Sequence, residues 1–147
     1  MTIGAVCNRE VVVVTPEESV IKAAELMREL DVGDVVVAKE DGDYRVPVGI
    51  VTDRDITVEI VAEQVDPNSV TIGDIMSYEL VTAREEDDII TVIAQMREKR
   101  VRRVPVVGED NQLLGIVTMD DLVDLLAELL TDLVKLVGAQ RRPAKPI

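Results

Sequence analysis

The feature that most constrains this chain is an internal duplication. Advanced by 69 residues, Thr2-Ile3-Gly4 falls on Thr71-Ile72-Gly73, Glu10 on Glu79, Met27-Arg28-Glu29 on Met96-Arg97-Glu98, and Glu40-Asp41 on Glu109-Asp110. The offset then becomes 66, so that Gly49-Ile50-Val51-Thr52 falls on Gly115-Ile116-Val117-Thr118 and Asp55 on Asp121. The first copy therefore holds three more residues than the second, and the turn-rich stretch Asp41-Gly42-Asp43-Tyr44-Arg45 is the expected loop for them. Self-similarity at a fixed spacing means that each copy forms the same supersecondary unit.

Both copies read alike. A β-branched run, Val11 to Val14 or Leu80 to Thr82, predicts a short strand. A helix follows, opened by Ser19 or Asp88 as N-cap, with apolar residues at Val20, Ala23, Ala24 and Met27 and at Ile89, Val92, Ile93 and Met96. That i, i+3, i+4, i+7 spacing predicts one buried face per helix. Next, Val35 to Ala38 and Val46 to Val51, or Val104 to Val107 and Leu113 to Val117, flank Asp-Gly and Asp-Asn turns and predict a β-hairpin. A second helix is expected over 53–64 and over 119–136. Each unit is thus β-α-β-β-α, an α/β (α+β) fold whose strands are too apolar to leave a face in water. A unit of about 60 residues has a marginal core. Packing the two sheets about a pseudo-twofold axis buries what neither buries alone. The expected organisation is a domain at 2–65, a linker at 66–70, a second domain with an extended helix at 71–137, and a flexible tail at 138–147.

Composition narrows the function. The net charge of −13, from 29 acidic and 16 basic residues, disfavours nucleic acid and anionic membrane surfaces as partners. Only Tyr44 and Tyr78 are aromatic, so a base-stacking platform is excluded. The absence of histidine removes the usual general base and the commonest metal ligand, and no catalytic residue is expected. The single Cys7 allows no intrachain disulfide. The N-terminal residues lack both a basic region and an apolar run, so no signal peptide is expected and a cytoplasmic address follows. Cys7 matches Met76 and reads as a packing residue. The acidic run Glu85-Glu86-Asp87-Asp88 fits either a hard cation or a solvated helix start, and the matching Pro16-Glu17-Glu18-Ser19 favours the helix start. Residues 122–137 are broken by Asp124, Glu128, Asp132 and Lys135, which makes them a poor membrane span. Their Leu122, Leu126, Leu129, Leu133 and Leu136 form a stripe with more to bury than a small domain needs, open to a second copy or a partner's helix groove.

Val32-Gly33-Asp34-Val35-Val36-Val37 followed by Gly49-Ile50-Val51-Thr52-Asp53-Arg54-Asp55-Ile56, and the stretch from Met96 to Val107 followed by Gly115-Ile116-Val117-Thr118-Met119-Asp120-Asp121-Leu122, resemble tandem cystathionine-β-synthase-type (CBS) domains. The doubled Gly-Ile-Val-Thr-x-x-Asp is the most specific part, and the resemblance spans residues 2–130. It implies a regulatory module, not itself a catalyst. Such a module takes an adenosyl ligand (AMP, ADP, ATP, S-adenosylmethionine or NAD(H), with or without Mg²⁺) in the cleft between repeats. It assembles as a homodimer and transmits a conformational change to a protein partner; the alternative is a dimeric adaptor that binds no ligand and interacts through the leucine-rich C-terminal helix.

Thr52 with Asp55, and Thr118 with Asp121, stand three apart at a strand-to-helix transition, which brings hydroxyl and carboxylate to one face. A carboxylate that accepts from vicinal hydroxyls suits a ribose, the role the resemblance implies for both Asp residues; the alternative is that each pair only caps its helix. Arg102 and Arg103, with Arg100 beside them, fit a phosphate clamp, as the resemblance implies, or surface ion pairs. Gly33 and Asp34 stand at the matching positions of the first copy, where Arg54 is a substitute cation, so unequal sites are expected. The resemblance places Val35, Ile50, Val104 and Ile116 around an adenine and Ser19, Ala24 and Asp88 at the cleft, although core packing is the better reading for each apolar residue and Ser19 and Asp88 also read as helix caps.

Overall fold

In the computed structural model, which describes residues 1–140, each hairpin forms where two valine-rich runs meet across a polar turn. Strands β2 (Asp34–Asp41) and β3 (Tyr44–Thr52) pair antiparallel from Asp34 opposite Thr52 to Asp41 opposite Tyr44. The turn is Gly42-Asp43 alone, with Gly42 at φ +62°, a conformation that costs least without a Cβ. The three extra residues of the first copy therefore extend the hairpin ladder instead of forming a loop. The register shifts between Val37 and Ala38, which face Gly49 and Pro47. A bulge there tolerates Pro47, which has no N–H for a ladder.

Strand β1 (Val13–Val14) adds parallel to β2, and β4 (Ala83–Arg84) adds parallel to β5 (Arg103–Val107), which neighbours β6 (Leu113–Thr118). Two three-stranded sheets result, ordered β1-β2-β3 and β4-β5-β6. The second copy's short strand lies just beyond the expected Leu80 to Thr82, because the partners Val106 and Val107 hold Ala83 and Arg84 instead.

Helices α2 (Val20–Leu30) and α5 (Ile89–Lys99) begin at the expected caps. The Ile21 N–H donates to Ser19 Oγ at 3.1 Å and the Ile90 N–H to Asp88 Oδ2 at 3.0 Å. Both helices end on a left-handed residue, Asp31 or Arg100. Their buried stripes are narrower than expected. Val20, Ala23 and Met27, and Val92 and Met96, face inward, whereas Ala24 and Ile93 are exposed. The first copy's second helix is also shorter. After α3 (Asp53–Ile56) it widens into a π-helical turn, Thr57–Val61. There the Thr57 hydroxyl donates to the Asp53 carbonyl, a side-chain bond that competes with the regular helical ladder.

The chain divides into two compact units, Met1–Val117 and the residues from Thr118 onward. The second is formed by α6 (Met119–Gln140), so 138–140, expected in the tail, are helical. The rest of that expected tail, 141–147, lies outside the described residues.

Within the first unit, contacts between the two copies come in symmetry-related pairs. The bridge Thr2–Asp88 is matched by Ser19–Thr71, and Asn8–Ile116 by Ile50–Ser77. The Ile3 N–H donates to the Asp87 carbonyl and the Ile72 N–H to the Glu18 carbonyl, both at 2.8 Å. Each copy's opening segment, α1 (Ile3–Val6) or α4 (Ile72–Ile75), is thus tied to the other copy. Ile72 and Met76 enter the first copy's core beside Val14, Ala23, Met27, Val35, Val37 and Val51. Ile3 and Ile72 are each 0% exposed, which stabilises the swapped arrangement by about 1.5–3 kcal/mol per side chain.

The glycine of each Gly-Ile-Val-Thr allows this approach. A Cβ on Gly49 would stand 2.8 Å from the Ser77 carbonyl oxygen and from Met76 Sδ, and one on Gly115 would stand 2.8 Å from the Asn8 carbonyl oxygen and from Cys7 Sγ. Gly49→Ala and Gly115→Ala are each expected to lower unfolding stability by about 1–3 kcal/mol, read as a shift of the urea midpoint. Gly138→Ala, with nothing within 4 Å, is the control. It is expected to leave the midpoint unchanged or raise it, since alanine is the better helix former.

Candidate functional site

The strand-to-helix junction of the first copy is closed by reciprocal hydrogen bonds. Thr52 ends β3 in an extended conformation. The Asp55 N–H donates to Thr52 Oγ1 at 3.1 Å, and the Thr52 N–H donates to Asp55 Oδ2 at 2.8 Å. This capping box fixes both side chains and leaves Asp55 Oδ1 outside it. The capping role and a ligand-facing role are therefore compatible, because each uses a different oxygen. In the second compact unit the Asp121 N–H likewise donates to Thr118 Oγ1 at 3.1 Å.

Around Thr52 and Asp55, inside the first unit, lies a cleft of about 400 Å³, within the usual range for small-molecule sites. Its apolar walls are Ile50, Leu80, Val81 and Val101, and its hydroxyls are Thr52 and Ser77. Its charges are Arg54, Arg100, Arg102 and Arg103 against Asp53, Asp55 and Glu79. An excess of cationic side chains at one place on a chain of net charge −13 makes this cleft a local anion attractor. Two features assemble it. The Ile50–Ser77 bridge brings the second copy's 77–81 segment to the end of β3. The left-handed turn at Arg100 ends α5 and delivers Arg102 and Arg103 to the same rim.

Of the residues expected to bind, Ile50, Thr52, Arg54, Asp55, Arg102 and Arg103 meet in this cleft. Val35 and Val104 do not. Both are 0% exposed, enclosed in the core because both faces of these strands are covered. Ile116 is also buried. Ser19 and Asp88 are exposed caps bonded to their own helices, and Ala24 is exposed on α2. Thr118 and Asp121 belong to the second unit. Sequence reasoning missed Asp53, Ser77, Glu79, Leu80, Val81 and Val101 and did not commit to Arg100. The 77–81 segment reaches the cleft only through pairing with the other copy, which no local pattern encodes.

The fate of Arg103 was equally hidden. Its Nε–H donates to Asp34 Oδ2, and these two residues, 69 apart, occupy equivalent positions of the two copies. A residue touches its own symmetry counterpart only beside the axis, so the ion pair stands on the pseudo-twofold. Two arginines would repel there, and the Asp–Arg difference between the copies removes that conflict.

The acidic run is engaged elsewhere. Glu85 pairs with Arg9 at 2.6 Å, Asp87 accepts from the Arg84 N–H, and Asp88 caps α5. Among the described residues no group of three or more Cys, Asp or Glu is placed to hold a metal ion. Burial pushes the Cys7 thiol up from its ordinary value, which keeps it protonated and unreactive near neutral pH. No helix of the described residues is long and apolar enough to cross a membrane.

Comparison with known proteins agrees with this arrangement. The CBS domain profile matches residues 3–62 and again 72–128. Hypoxic response protein 1 of Mycobacterium tuberculosis is 34% identical over 123 residues, 84% of this chain and 83% of that protein. The protein MK0525 of Methanopyrus kandleri is 34% identical over 125 residues, 85% of this chain but 62% of that protein, so the chain spans less than two thirds of that relative. The CBS domain pair of MJ0100, solved in complex with 5′-methylthioadenosine and S-adenosyl-L-methionine, superposes with a TM-score of 0.76 at 25% identity, over 87% of this chain and 97% of that one. Two profile matches, twofold-related contacts and a doubled Gly-Ile-Val-Thr-x-x-Asp together identify the chain as a tandem pair of repeats that belongs to the CBS domain family.

Proposed function

We propose that the protein is a regulatory sensor that binds an adenosine-containing ligand in the cleft around Thr52 and Asp55. The observation that carries this reading is the closed capping box, which holds Asp55 rigid and leaves Oδ1 to accept from a ribose diol, opposite a rim of arginines. Ile50, Leu80, Val81 and Val101 supply aliphatic surface for a flat base, and the adenosyl ligands bound by the MJ0100 pair support the same ligand class. Because the cleft takes residues from both copies, a ligand there contacts both and biases their relative tilt. Such a bias requires that the ligand contact the two states differently. A regulated protein partner reads the change.

A second copy of the chain is the proposed partner of α6. Along this helix Leu126, Leu129, Leu130, Leu133, Val134, Leu136 and Val137 are each about half exposed or more. At 100° per residue they share one half of the circumference with Leu122, whereas Asp120, Asp124, Glu128, Asp132 and Lys135 share the other. The 3-and-4 leucine spacing is self-complementary, as an isologous pairing requires. The acidic side chains stay off the seam, so two such helices meet without like-charge contact.

Calorimetric titration with adenosine, AMP, ATP, S-adenosylmethionine and NADH is expected to give saturable binding for at least one. No heat from any of them at millimolar concentration, with the fold intact, removes the sensor reading. Asp55→Ala is expected to weaken binding about 10–100-fold, the worth of hydrogen bonds to a charged group, while costing only about 1 kcal/mol of stability as a lost cap. For α6, Leu129→Glu/Leu133→Glu is expected to halve the mass seen by sedimentation equilibrium. An unchanged mass moves the self-association seam elsewhere.

A further inference from the structure

The Asp34–Arg103 pair has a role in the cleft beyond holding the two copies in register. The two side chains keep only 28% exposure for Arg103 and 18% for Asp34. Arg103 engages Asp34 through Nε alone. A guanidinium carries five N–H donors, one on Nε and four on its two Nη atoms, so this bond leaves the whole Nη edge unspent. Arg103 nonetheless lines the cleft, and the part not tied to Asp34 is what it offers there. That edge runs past Gly33, where a Cβ would stand 3.5 Å from Arg103 Nη2 and 3.4 Å from Asp53 Oδ2, in ordinary van der Waals contact.

We propose that Asp34 is a positioning residue for anion recognition. By accepting from Nε it fixes the plane of the Arg103 guanidinium so that the Nη edge meets the phosphate of a bound nucleotide, beside Arg102. This rests on the adenosyl reading and deepens it, because it makes the ligand a 5′-phosphorylated nucleoside in preference to a cationic sulfonium. The alternative, in which Arg103 abandons Asp34 for the ligand, strands a carboxylate that is mostly out of water, and that is costly. Keeping Nε on Asp34 while Nη binds phosphate satisfies both anions with one cation already held in place. The asymmetry of the copies follows. The first copy supplies the ribose acceptor, the orienting carboxylate and Arg54, and the second supplies the other three arginines, Arg100, Arg102 and Arg103.

Calorimetry of the full chain against AMP, adenosine and inorganic pyrophosphate separates the outcomes. Asp34→Asn is expected to weaken AMP and pyrophosphate roughly tenfold and to leave adenosine within about twofold, a discrimination that a purely structural role would not produce. Combining it with Arg103→Ala is expected to cost no more than Arg103→Ala alone, since the two act through one guanidinium. The exchanged pair Asp34→Arg/Arg103→Asp retains the ion pair on the axis, and with it the melting temperature. It is expected to lose the preference for AMP over adenosine, so the inference stays testable even if a single variant unfolds. An equal loss of AMP and adenosine in Asp34→Asn, or tighter AMP binding, overturns the proposal. Failure of adenosine and AMP alike to bind the unaltered chain, with pyrophosphate still bound and still sensitive to Asp34→Asn, would retain the anion clip and reject the adenosyl reading. Pyrophosphate and AMP both indifferent to Asp34 would reject the clip alone.

Discussion

Contact between the two copies without side chains in the way is the constraint on which the rest depends. At Gly49 and Gly115 the backbone of one copy passes so close to the other that even a methyl group would press against a carbonyl oxygen. Only at that separation do the Ile50–Ser77 and Asn8–Ile116 bridges form, and only then do Ile72 and Met76 enter the opposite core. A unit of this size has only a marginal core on its own. Exchange of opening segments makes each core partly the property of the other copy.

The cleft is a consequence of the same contact. Its apolar wall from Leu80 to Val81 is carried to β3 by the bridge at Ser77, and three of its four arginines arrive from the end of α5. The chemistry is therefore divided between copies, with Asp53, Arg54 and Asp55 from the first junction and Arg100, Arg102 and Arg103 from the end of the second copy's helix α5. Symmetry also sets the electrostatics. Whatever stands at positions 34 and 103 must coexist beside the axis, and opposite charges solve that problem while leaving donors to spare.

Much of this was legible in the amino-acid order. The 69-residue offset, the caps at Ser19 and Asp88 and the valine-rich hairpins all act over a few residues, and local rules describe such elements well. Thr52 and Asp55 were legible as well, because their capping box spans three positions. Val35 and Val104 are 0% exposed, in keeping with core packing, the better of the two readings that their sequence positions allow. The middle of β2 and most of β5 have cover on both faces, so place along the strand does not reveal whether a residue meets a ligand or the core. The three extra residues of the first copy read as loop but extend the ladder, since paired backbone groups outweigh the turn composition of Asp41 and Tyr44. The π-helical turn at Thr57–Val61 has no signature in hydrophobic spacing at all.

Sequence by itself determined the repeat, the unit built from it, the capped junctions and the two-faced character of α6, because each depends on periodicity and on hydrogen bonds between near neighbours. Tertiary structure alone decided that opening segments cross between copies, that Ser77 to Val81 wall the cleft and that Asp34 meets Arg103. Those contacts join residues tens of positions apart, and the close approach of the two copies at Gly49 and Gly115, not any local preference, brings them together.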